Sequence, residues 1–68
     1  MLGRGAKPRW RVSVRPGASG ARFKTSVYYA EAGATGAARL ARERGMEAYA
    51  WNIGAGMPDA VREANGVR

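Results

Sequence analysis

With neither a cysteine nor a histidine among its 68 residues, this chain must hold itself together without disulfides and without cysteine- or histidine-bound metals. Disulfide frameworks, thiolate–zinc sites, iron–sulfur clusters, cysteine nucleophiles and histidine general bases are all closed to it. A chain of this length buries only about 60% of the surface its unfolded form exposes, so one domain with a thin core is expected. Apolar residues make up 46% of the chain, enough to fold it. No apolar run approaches the roughly 18 residues of a membrane helix, so no membrane contact is expected. The start, Met1-Leu2-Gly3-Arg4-Gly5-Ala6-Lys7-Pro8, has no apolar stretch behind its charge. It reads as a flexible basic arm over residues 1–8 rather than a secretory leader, followed by a single domain over 9–68 in a cytoplasmic protein.

Hydrophobic periodicity orders that domain. Trp10, Val12 and Val14 alternate with Arg9, Arg11, Ser13 and Arg15, the period-two pattern of a half-buried strand. Pro16-Gly17-Ala18-Ser19-Gly20-Ala21 supplies turn chemistry, and a second alternating run follows from Arg22 to Ala30. The two runs make a hairpin. Gly33 and Gly36 delay the helix until Thr35, a suitable N-cap, and Gly45 ends it. Its apolar stripe is Ala37, Leu40 and Ala41, with Arg39 and Glu43 spaced as an i,i+4 pair. Met46 to Ile53 reads as a third strand, and Pro58 to Asn65 as a short last helix stopped by Gly66. The expected fold is therefore α+β, a ββαβα chain whose small antiparallel sheet has one face covered by helix.

The formal charge is +7, and all of the surplus lies near the N-terminus. Arg4, Lys7, Arg9, Arg11, Arg15, Arg22 and Lys24 precede the first carboxylate, Glu31, and the cations after it are matched by acids. Such asymmetry points to a polyanion-binding surface. Alternation predicts a buried hairpin face of Trp10, Val12, Val14, Phe23, Val27 and Tyr29, covered by Leu40, Trp51 and Val61. The opposite face would carry Arg9, Arg11, Arg15, Arg22 and Lys24 beside Ser13, Ser26 and Tyr28. Like charges across strands destabilise a sheet, and a polyanion relieves that repulsion. A two-stranded ribbon fits the DNA major groove, so Arg9, Arg11, Arg15, Arg22, Lys24 and Tyr28 are the candidate nucleic-acid contacts. Five neutralised phosphates correspond to a slope of log affinity on log salt of about −4 to −5. Plain solvated surface also accommodates five such cations, because Lys and Arg on an edge strand block unwanted pairing.

Trp10-Arg11-Val12-Ser13-Val14-Arg15, the Gly-rich turn, Arg22-Phe23-Lys24-Thr25 and Ala37-Ala38-Arg39-Leu40-Ala41-Arg42 together resemble the sheet-and-helix DNA-binding domains of phage tyrosine integrases and plant ethylene-response factors. The resemblance implies a three-stranded sheet in the major groove, backed by a helix whose small residues pack on it. Arg9, Arg11, Arg15, Arg22 and Lys24 would then face the groove. It covers about half of the chain, lacks a first strand before Trp10, and leaves the strand after the helix unexplained. The same element order occurs in many small proteins of phages and mobile elements.

Catalysis is not expected, nor is a metal or cofactor. The carboxylates are scattered, and Gly54-Ala55-Gly56 lacks both the third glycine of a dinucleotide loop and the Gly-Lys-Ser/Thr of a P-loop. The expected function is a small nucleic-acid-binding module, with duplex DNA ahead of RNA. Two alternatives stand beside it: an interaction module or inhibitor of phage type docking on an acidic host protein, and a small oligomeric structural protein. In the last, Tyr49 and Trp51 would be covered by a second copy.

Overall fold

The computed structural model describes residues 7–17 and 20–66. Most of the expected arm, and Ala18 and Ser19 of the turn, lie outside the described residues. Strand β1 spans Trp10–Pro16, β2 Lys24–Tyr28, helix α1 Glu31–Glu43, β3 Met46–Asn52 and helix α2 Asp59–Asn65. This is the α+β, ββαβα order read from the sequence.

The three strands form one sheet in the order β2-β1-β3, with both neighbours antiparallel to β1. Strands β2 and β3 are thus parallel to each other on either side of β1, and α1 is the crossover between them. The register sets Trp10 opposite Tyr28 and Val14 opposite Lys24 on one side, and Val14 opposite Ala48 and Arg15 opposite Glu47 on the other. Trp10, Val12, Val14, Lys24, Ser26, Tyr28, Ala48 and Ala50 therefore share one face. Arg11, Ser13, Arg15, Thr25, Val27, Glu47, Tyr49 and Trp51 share the other.

Helix α1 lies on the first face, where Val12, Ala34, Ala38 and Ala48 form a buried cluster joined by Trp10, Val14 and Tyr28. Its start is earlier than the expected Thr35, and its N-cap, Ala30, makes no side-chain cap bond. Burial decides this. Ala34 is fully buried, and only a helix already under way at Glu31 turns it toward Val12. The Ala30 carbonyl accepts the Ala34 N–H at 3.2 Å. The packed stripe is Ala34 and Ala38, flanked by Ala37 and Ala41, and not the predicted one through Leu40, which is 54% exposed. Alanine side chains let the helix approach the sheet closely, and Leu40 falls outside that contact.

The second face has buried residues of its own: Phe23 packs there against the Tyr49 ring and the Arg15 guanidinium, and Trp51 is buried beside Arg11. Asn65 clamps α2 in place: its Oδ1 accepts the Phe23 N–H at 2.8 Å and its Nδ2 donates to the Phe23 carbonyl at 3.2 Å. Helix α1 covers one face of the sheet, as expected, and α2 is fastened beside the other face at Phe23. Trp51 is buried within the single chain, and Tyr49 beside it is half-buried.

Candidate nucleic-acid interface

The six predicted contacts do not share a face. Lys24 and Tyr28 lie on the α1 side of β2, opposite the one that holds Arg11 and Arg15. Alternation along β2 separates Lys24, Ser26 and Tyr28 from Thr25 and Val27, but it is the pairing of Tyr28 with Trp10 that assigns the first set to α1. Tyr28 is half-buried against that helix, with its Cδ2 3.5 Å from where a side chain at Gly33 would begin. Conversely, Val27 and Tyr29, expected inside, are 55% and 50% exposed.

Arg11 and Arg15 are engaged on the other face of the sheet. The Arg11 guanidinium carbon lies 5.6 Å from the centroid of the Trp51 ring, and its Nε is buried without a hydrogen-bond partner among the described residues. Its stem packs as apolar surface. Arg15 is more fully engaged: Nε donates to Glu47 Oε1 at 2.9 Å and Nη1 to the Ala21 carbonyl at 3.0 Å. Its guanidinium carbon sits 4.4 Å from the Phe23 ring centroid, and its side chain is 18% exposed. Glu47 also accepts the Tyr49 hydroxyl at 2.7 Å. That bond first, and the Arg15 guanidinium second, hold the Glu47 carboxyl below its ordinary value, while the same carboxylate pushes the Tyr49 phenol up. Beneath them Ser13 is fully buried, its Oγ accepting from Trp51 Nε1 at 2.9 Å and bonded to Thr25 Oγ1 at 2.9 Å. This polar seam ties the three strands to one another through side chains.

A different set of cations comes together. A side chain at Gly17 would overlap the Gly45 carbonyl, so the β1–β2 connection is pressed against the α1–β3 turn. Arg22 from the first connection, Lys24 at the start of β2, and Arg42 and Arg44 from the end of α1 consequently lie toward one end of the molecule, all four exposed. Gly45, at a φ of +83°, makes this possible by turning the chain directly from helix to β3. Arg42 is partly committed, its Nε donating to the Ala48 carbonyl at 3.0 Å. Among the described residues only Arg15 and Arg62 form ion pairs, with Glu47 and Asp59. The expected Arg39–Glu43 pair is not formed among them. Arg9 is exposed at the opposite end of β1, where its carbonyl accepts the Ile53 N–H.

Arg42 and Arg44 were missed because they fall in a charge-balanced stretch of sequence. The available signal was their place in the last turn of a helix that Gly45 returns to the sheet. No pocket opens among the described residues, so ends, faces and edges are the surfaces on offer. Comparison with protein-family models, with curated proteins and with solved structures found no match to this chain.

Proposed function

We propose that the protein is a small nucleic-acid-binding module that contacts the phosphates of duplex DNA through the end bearing Arg22, Lys24 and Arg44. The observation that carries this reading is a set of exposed cations, without ion pairs among the described residues, at and beside two abutting turns in a chain of formal charge +7. Guanidinium groups suit bidentate phosphate contact, and a surplus of this size steers association with polyanions. Arg11 and Arg15 contribute through the stability of the sheet rather than by touching the ligand.

Fluorescence anisotropy of a labelled duplex, titrated at several salt concentrations, tests the proposal. Three phosphate contacts give a slope of log affinity on log salt of about −3, shallower than the value expected for five. Replacing Arg22 and Lys24 together by Glu is expected to weaken binding at low salt at least tenfold, on the order of 1.4 kcal/mol or more. Arg62→Gln, whose partner is Asp59, leaves it nearly unchanged. No binding at low salt, or equal binding by the double variant, ends the proposal.

A further inference from the structure

We infer that β2 pairs with β2 of a second copy, so that two chains share one continuous six-stranded sheet. β2 is an outer strand, and no described residue bonds to its backbone from outside the sheet. The opposite outer strand, β3, has the Arg42 guanidinium bonded to its Ala48 carbonyl. An open edge invites pairing, and the usual protections are a proline, a bulge or a charge. Lys24-Thr25-Ser26-Val27-Tyr28 has no proline, its pairing with β1 runs without interruption, and its one charge, Lys24, stands at the end of the strand.

The exposed apolar side chains gather at this edge. Val27 lies on the face of β2 away from α1, and Tyr29 follows the strand. Leu40 belongs to the β2 flank of α1: helical spacing aligns Gly33, Ala37, Leu40 and Arg44, and Gly33 abuts Tyr28. Of the four exposed large apolar residues among those described, only Ile53 lies elsewhere. A strand added to β2 covers Val27 from the side and extends the sheet beneath Leu40.

The occupant is a second copy because the strand complements itself. Antiparallel pairing centred on Ser26 uses all five residues and sets Ser26 against Ser26, Thr25 against Val27, and Lys24 against Tyr28. The β-branched pair and the ammonium beside an aromatic ring are both favourable cross-strand neighbours. The two Lys24 ammonium groups stand four residues apart along the pair, ~13 Å, beyond the ~8 Å screening length of physiological salt. Centring on Lys24 would instead set like charges face to face.

Ser26 is exposed and the chain has no cysteine, so Ser26→Cys installs a single thiol on the dyad, where opposed Cβ atoms stand about 5 Å apart. Under mild oxidation, without nucleic acid, it is expected to form a covalent dimer at least ten times faster than Thr35→Cys, an exposed control on α1. In sedimentation equilibrium the unmodified chain dimerises with rising concentration. Ser26→Lys, which sets two cations against each other on the axis, raises the dissociation constant at least tenfold while its circular dichroism is unchanged. Equal oxidation rates for the two thiols, or a chain that stays monomeric into the millimolar range, overturns the inference. These readouts contain no DNA, so they are independent of the binding proposal.

Discussion

Glu47 is the residue on which the face of the sheet away from α1 turns. It is 31% exposed, yet it collects two hydrogen bonds, from Tyr49 and from Arg15, and both favour its charged form. A carboxyl whose folded pKa lies below its unfolded one stabilises the fold fully above the ordinary value, here 4.5. That stabilisation disappears as pH falls through the lower, folded pKa. The Tyr49 phenol works in the opposite sense: its pKa is raised from 10.0, so its contribution is complete below that value and is lost as pH rises through the folded one. Glu47→Gln is expected to lower the thermal midpoint at neutral pH and to flatten its decline on acidification, checked by circular dichroism melts across the acid range. A variant that acid-melts like the parent contradicts this role. Nothing in the local sequence marks Glu47 out. It becomes the partner of Arg15 only because β3 lies beside β1.

Among the elements, the two turns at the cationic end depend on each other. Gly17 is required by a close approach, since a Cβ there would meet backbone, which cannot swing aside as a side-chain tip does. Gly17→Ala is expected to cost on the order of 1–3 kcal/mol, typical of overpacking, and to weaken DNA binding by moving Arg22 and Lys24 away from Arg44. Urea unfolding and the anisotropy assay measure the two effects separately. If stability falls and binding does not, the two turns need not be held together for recognition. Helix α1 shows a related dependence. Its C-terminal stop at Gly45 was legible, because a φ of +83° favours glycine. Its start was not, because Gly33 and Gly36 are poor helix formers whose cost is met by the burial of Ala34.

Taken together, the chain is a slab with extents of 39 × 30 × 15 Å, only one sheet and one helix layer deep. One small core of alanines and Val12 lies under α1, and Phe23, Trp51 and Val61 are buried outside it. Cores in chains this short rarely supply more than about 3–5 kcal/mol, so single truncations have large consequences. Val61, fully buried in a helix of seven residues, is the sharpest case. Val61→Ala is expected to remove about 2 kcal/mol, seen as an earlier urea midpoint. An unchanged midpoint would mean that α2 is not part of the cooperative unit.

What was readable in the residues was local. Period-two runs marked three strands, glycines and Pro58 marked the breaks, and the α+β order followed, since strand and helix periodicities and turn chemistry act over a few neighbours. Alternation also separated Arg11 from Val12 and Lys24 from Thr25 correctly. It could not say which set in β2 joins which set in β1, because that is a matter of register, fixed by contacts across the sheet. Nor could it show that Asn65 of α2 returns to bond Phe23, or that Glu47 would meet Arg15 from more than thirty positions away. Charge added up along the chain pointed to the hairpin. Charge gathered in space lies at the end where two distant turns touch, because tertiary packing, unlike periodicity, joins residues without regard to their separation in sequence.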